Sequence, residues 1–179
     1  KRYKIQLGAF DINNANSSMR IQSIKVIPQF TEAAFSRILK KQEDLYDLEF
    51  RNIVLAGIDT RLLILKKRLE AATATLQPVV KIYRDRTVAE DLDSKVGKYP
   101  HQMLQTIKFP FSIKKLTIRN GTVSYSEKAE VSGKTGTVFF NNINGTVNNI
   151  TNISDLVSYC KFYGHQQGAY VMEAAAQQQ

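Results

Sequence analysis

Residues 109–125, FPFSIKKLTIRNGTVSY, constrain the fold more than any other stretch of the chain. Asn120-Gly121 separates two short alternating runs, Leu116-Thr117-Ile118 and Val123-Ser124-Tyr125. A type I′ turn needs positive φ at both central residues, and Asn-Gly is the pair that supplies it most readily. With these two as the turn, Arg119 faces Thr122, Ile118 faces Val123 and Leu116 faces Tyr125. The four large apolar side chains then share one face, while Thr117 and Ser124 pair on the other. The spacing predicts a β-hairpin that is apolar on one side.

The rest of the chain continues in the same style. Tyr3, Ile5 and Leu7 alternate as in a half-buried strand, Asn13 to Ser18 is a turn cluster, and Met19 to Ile27 reads as a second strand closed by Pro28. Thr31 is a good N-cap, Glu32 suits a first helical turn, and Phe30 and Phe35 have the spacing of a hydrophobic staple. An amphipathic helix is expected over 31–45, with Phe35, Ile38, Leu39 and Leu45 as its stripe. It packs onto the sheet or lies on a membrane or partner surface. Leu48 to Leu55 is strand-like and broken by Gly57, and Asp59 is placed to cap a short helix ending at Leu63 or Lys67. Residues 69–84 read as extended, with Pro78 implying an edge or a bulge. A charged loop follows from Asp85 to Lys98, and Pro100 is placed to open a short helical turn. Thr137 to Phe140 is another strand, Asn144-Gly145 a second turn signal, and Leu156 to Tyr163 a helix capped by Ser154 or a strand.

One spacing recurs. Ile21, Ile24 and Val26; Phe50, Ile53 and Leu55; and Ile113, Leu116 and Ile118 all read Φ-x-x-Φ-x-Φ. A step of three followed by a step of two reverses the faces of a strand unless a bulge or turn intervenes. The fold class expected is α+β, mainly β: a twisted, curved, groove-like antiparallel sheet with one clear helix and one or two short ones.

No reaction chemistry is legible. The two histidines, His101 and His165, have no second ligand at helical or strand spacing, and Cys160 is the single cysteine, so neither a metal site nor an intrachain disulfide is implied. There is no phosphate-binding glycine loop and no nucleophile motif. Tyr83-Arg84-Asp85-Arg86 reads as paired surface charge at a strand end. Neither a cofactor nor an enzymatic activity is expected. The net charge of +9 is scattered, with no basic tract, so nucleic acid is not expected as a partner. Five Asn-x-Ser/Thr triplets, at Asn16, Asn120, Asn144, Asn149 and Asn152, read as turn chemistry rather than as glycan acceptors. No run of apolar residues is long enough to span a membrane. The strand-like opening at Lys1 and the closing Ala-Ala-Ala-Gln-Gln-Gln suggest a fragment lacking a membrane anchor on its N-terminal side. A β-rich segment is expected over 1–153, followed by a distinct stretch, 154–179.

Several stretches carry a family likeness. They are Ile24 to Pro28 (IKVIP), Ile53 to Asp59 (IVLAGID), Leu69 to Asp85 ending in IYRD, Tyr99-Pro100, Ile113 to Tyr125, and Gly136 to Asn152 (GTVFFNNINGTVNNITN). Over roughly 20–153 the chain resembles the AsmA-like family of Gram-negative envelope proteins, in the branch known as a domain of unknown function. The resemblance implies a parent protein anchored in the inner membrane by an N-terminal helix, with a β-rich body in the periplasm. It further implies a curved sheet whose apolar face carries phospholipid between membranes or serves outer-membrane assembly, with other envelope proteins as partners. No active-site residues carry over. The strand residues that would face lipid are Ile24, Val26, Ile53, Leu55, Val80, Ile82, Leu116, Ile118, Val123 and Tyr125. Two other readings stand beside it. These residues form an ordinary core under the helix at 31–45, or the chain is a structural or adhesive β-module of a larger assembly.

Overall fold

The computed structural model describes residues 2–90 and 108–153. In chain order the elements are β1 (Tyr3–Leu7), β2 (Phe10–Asn13), β3 (Ser18–Pro28), α1 (Glu32–Ile38), β4 (Asp44–Ile58), α2 (Thr60–Lys66), β5 (Leu69–Asp85), β6 (Phe111–Lys128) and β7 (Thr135–Thr151). The strands form one sheet in the order β1-β3-β4-β5-β6-β7, and β2 pairs with β3 on the same edge as β1. The fold is α+β and mainly β, a curved mixed sheet that does not close into a barrel.

Neighbouring strands are antiparallel except β5 and β6, which run parallel from Leu69 beside Phe111 to Asp85 beside Lys128. A parallel pair needs a crossover rather than a tight turn, and residues 86–110 make that connection. The helical turn expected after Pro100 and the helix or strand expected at 156–163 lie outside the described residues, as do both histidines and Cys160.

The hairpin expected at Asn120-Gly121 does not form. β6 runs unbroken for 18 residues through that dipeptide. Asn120 has φ 48°, but Gly121 is not among the residues with positive φ, so the geometry of a type I′ turn is missing. Instead β7 lies along the whole of β6, with Ile118 opposite Gly145, Gly121 opposite Ile143 and Val123 opposite Phe140. Two register shifts flank Gly121, one with an extra residue on β6 and one with an extra residue on β7, and Asn120 and Asn142 occupy the left-handed region there. Asn144-Gly145 likewise sits inside β7 rather than in a turn. The actual β6–β7 turn spans the polar connection at 129–134, closed by Ala129 N–H to Lys134 C=O at 2.9 Å.

The helices follow their caps. Thr31 accepts a hydrogen bond from Ala34 N–H at 3.3 Å and starts α1, and Phe30 packs with Phe35 as the staple requires. The helix stops at Ile38, well short of 45. Leu45 belongs to β4, where it pairs with Tyr83. Asp59 caps α2, accepting from Leu62 N–H at 2.9 Å, and Lys67 ends it in the left-handed region at φ 51°.

Two transverse creases account for the recurring spacing. The first crosses Asn52, Gln77-Pro78, Asn120-Gly121 and Asn142. Asn52, Asn120 and Asn142 have φ of 51°, 48° and 56°, and the register shifts at each strand pair from β4 to β7. Pro78, in an interior strand, sits on this line, where a missing N–H is tolerated. The second crosses Gly57 (φ 64°), Ala72, Lys114 and Asn149 (φ 55°), with register kept on both sides. Where a strand crosses a crease, apolar side chains three apart return to the same side. Ile21 and Ile24, Phe50 and Ile53, Leu55 and Ile58, Ala71 and Ala74, and Ile113 and Leu116 all pack in a single cluster. Bulges bend strands and increase their twist, so repeated creases curve the sheet.

Candidate functional site

Register places the apolar residues in rows that cross the sheet. Ile5, Val26, Leu48, Val80, Val123 and Phe140 are consecutive partners from one edge to the other. Across the first crease, Phe10, Ile21, Ile53, Leu76 and Ile118 form another row. Ile12, Met19, Leu55, Ala74, Leu116 and Val147 form the next. Directly opposed residues lie on the same side of a sheet, so one face is apolar over its full width. The other face carries ion pairs along its strands. Glu49 binds Lys25 at 3.1 Å and Arg51 at 2.6 Å, and Asp47 meets Lys81 at 3.7 Å. The hydrogen bond from Arg51, followed by that from Lys25, outweighs desolvation and holds the Glu49 carboxyl at about 2.

All ten residues expected to face lipid lie on the apolar side. They do not share one environment. Ile53 and Leu55 are buried in the main cluster with Ile58, Ala71 and Ala74, and Ile24 and Leu116 pack against it. There α2 contributes Leu63 to the cluster. Val26, Val80, Ile82, Ile118, Val123 and Tyr125 are half-buried and belong to neither buried cluster. The apolar face is therefore packed toward the α2 end and less so toward the other.

Helix α1 does not cover that face. Phe35, 1% exposed, packs with Leu45 and Tyr83. Those two alternate with Tyr46 and Ile82, so they point to the opposite side of the sheet. Asp85, two residues beyond Tyr83, is on that side too. Its carboxylate accepts from Thr87 N–H at 2.9 Å, Thr87 Oγ1 at 2.6 Å and Lys128 Nζ at 3.1 Å. Burial opposes ionisation of Asp85, but hydrogen bonds from Thr87, Ser36 and Lys128 outweigh it and keep the carboxyl well below its ordinary value. The reading of these residues as a core under the helix is thus wrong for this face. Its physical cause is the one-residue alternation that sends Leu45 and Tyr83 to α1, and Tyr46 and Ile82 away from it.

The less packed end of the face finishes in a polar rim. Tyr46 donates its hydroxyl to Asp44 at 3.2 Å and Tyr125 donates to Glu127 at 2.9 Å. Arg84 grips Asp44 through Nε at 2.6 Å and Nη2 at 3.0 Å. Asp44, Arg84 and Glu127 form the register row beyond Tyr46, Ile82 and Tyr125. Burial, reinforced by Asp44, pushes the Tyr46 hydroxyl up to about 12. Burial and then the bond to Glu127 raise Tyr125 as well, so both remain neutral donors. The Tyr-Arg-Asp-Arg group expected as surface charge is in fact half interior, since Tyr83 and Asp85 are buried.

The sequence reading did not single out Leu7, Phe10, Leu48 or Phe140 on this face. The same spacing of three, in Leu7-x-x-Phe10 and Phe140-x-x-Ile143, would have found Leu7, Phe10 and Phe140, whereas Leu48 joins the face through its register with Val26 and Val80. Among the described residues, no group of three or more His, Cys, Asp or Glu is placed to hold a metal ion, and no helix is long and apolar enough to cross a membrane. No family model, curated protein or solved structure matches the chain.

Proposed function

We propose that the chain is part of a non-enzymatic cell-envelope protein of AsmA-like type, whose apolar sheet face holds lipid during transport between membranes or outer-membrane assembly. The observation that carries this reading is the full-width apolar face with α1 packed on the opposite side. An acyl chain would lie along the rows through Val26, Val80 and Val123, and the polar end of the amphiphile would reach the rim at Tyr46, Arg84, Tyr125 and Glu127. Such a conduit needs no reacting groups, only a surface that is apolar on one side and wetted on the other. The family likeness supplies the expected setting: the periplasm, with the parent protein held in the inner membrane by a segment outside this sequence. The test is mass spectrometry of lipids retained by the purified full-length protein. Phospholipid at a fixed molar ratio supports the reading. A lipid-free protein with a polypeptide partner buried on this face favours the second reading, a structural or adhesive β-module.

A further inference from the structure

Helix α2 stands at the end of the sheet where β4 finishes and β5 begins. Its Leu62 and Leu63 are half-buried, and Leu63 packs on the main cluster. Ile64 and Leu65, by contrast, are 65% and 72% exposed. Arg61, Ile64 and Leu65 stand at i, i+3 and i+4, so they share the outward side of the helix. Lys66 and Lys67 follow them and are exposed too. The neighbouring strand entry repeats this pairing of cation and apolar side chain. Leu69 N–H donates to Pro110 C=O at 3.0 Å, which brings the exposed Lys108 and Phe109 to the same end of the sheet. The two acids nearby are already engaged, Asp59 by Leu62 N–H and Glu70 by Arg68. A lone exposed aliphatic residue is ordinary. An adjacent pair flanked by cations is not explained by packing, capping or ion pairing.

We propose that the outward side of α2 docks the chain on the surface of a bilayer that carries anionic phospholipid. Ile64 and Leu65 enter the boundary between head groups and acyl chains, while Arg61, Lys66 and Lys67 lie among the phosphates. Charge complementarity selects this occupant. Nucleic acid would take the cations and leave Ile64 and Leu65 in water, and a second copy would bring the same cations and be repelled. A protein groove reads a helix through anchors spread over several turns, and the seven residues of α2 offer one adjacent pair. An anionic bilayer satisfies both kinds of side chain at once. The proposal does not rest on the lipid reading: a chain whose sheet face carries no lipid can still dock through α2.

Cosedimentation of the full 179-residue chain with phosphatidylcholine vesicles, with and without phosphatidylglycerol, tests it. The wild type is expected to pellet with the anionic vesicles and to be released by salt. Arg61→Gln with Lys66→Gln should weaken binding about fivefold per charge removed, and Ile64→Gln with Leu65→Gln about tenfold or more. Lys4→Gln with Lys134→Gln, toward the other end of the sheet, should bind as the wild type does. Far-UV circular dichroism checks folding. The chain has no tryptophan, so Leu65→Trp reports on α2 alone and decides the matter if a glutamine variant does not fold. Its emission should shift to the blue only when anionic vesicles are added. A wild type that ignores anionic vesicles, or binds neutral ones equally, overturns the proposal. So do folded α2 variants that bind as tightly as the wild type. An indole already shielded before vesicles are added overturns it as well, since the chain itself or a second copy then covers α2.

Discussion

Replacing Gly57 with alanine probes the crease geometry directly. Gly57 has φ 64°, and a Cβ built there would come within 2.7 Å of the Ala72 Cβ. Holding an L-residue in the left-handed region costs about 1–2 kcal/mol, and relieving an overpacked contact costs about 1–3 kcal/mol. Reduced freedom of the unfolded chain offsets about 0.4–1 kcal/mol. The net destabilisation is therefore about 1–5 kcal/mol, or a fall on the order of 1 M in the urea midpoint for a typical slope. Gly145→Ala is the control. Gly145 lies in β7 with nothing within 4 Å of a built Cβ, so that substitution should be neutral or slightly stabilising. Urea unfolding followed by circular dichroism reads both variants, and an unchanged slope would show that the effect is on stability. If Gly57→Ala were as stable as Gly145→Ala, the second crease would not be a strained, position-specific feature, and the explanation of the three-residue spacing would fail.

Three further outcomes are expected. Phe35→Ala empties the cluster that joins α1 to Leu45 and Tyr83 and should cost about 3–5 kcal/mol, read by the same unfolding assay; a loss under about 1 kcal/mol would mean that α1 does not dock there. Asp85 has a folded-state pKa below its unfolded value, so its contribution is complete above pH ~4 and is lost as pH falls further. Asp85→Asn should therefore be less stable than the wild type by about 2 kcal/mol at neutral pH, with the two converging in acid; parallel stability curves down to pH ~2 would refute this assignment. Val123→Asp places a charge on the half-buried apolar row and should reduce lipid retained by the full-length protein several-fold, whereas Lys81→Asp on the opposite face should not; equal retention in both would remove the row from the lipid site.

Local chemistry was the legible part of the sequence. Thr31 and Asp59 cap the helices as their side chains suggest, and Asn13 to Ser18 makes the turn between β2 and β3. The alternation at Leu116-Ile118 and Val123-Tyr125 correctly gave one apolar face but the wrong connection. A hairpin turn and a bulge both exploit the ease with which Asn adopts positive φ, and either returns the flanking apolar residues to the same side. The choice between them depends on β7, whose Asn144 side chain accepts a hydrogen bond from Asn120 N–H at 3.0 Å. That contact joins residues distant in sequence, and no local pattern encodes it. The end of α1 failed for a similar reason. Leu45 fits a helical stripe, but pairing with Tyr83 under Phe35 draws it into β4. The parallel β5–β6 pair was also hidden, because a strand's own alternation is the same whichever way its neighbour runs. Of the candidate face, alternation grouped the residues within each short run, while joining those runs into one face depends on the creases and the strand pairing, and the division into a packed end and a less packed end rests on α2 and the creases.

The central proposal, that lipid occupies the apolar side of this sheet and not the other, is tested most directly by site-specific photocrosslinking of the protein incubated with phospholipid vesicles. A photoreactive residue at Val123 is compared with one at Ser124, its neighbour on the opposite face. Lipid adducts at Val123 and none at Ser124 are the predicted result. Adducts at both positions alike, or only protein adducts at Val123, would contradict it.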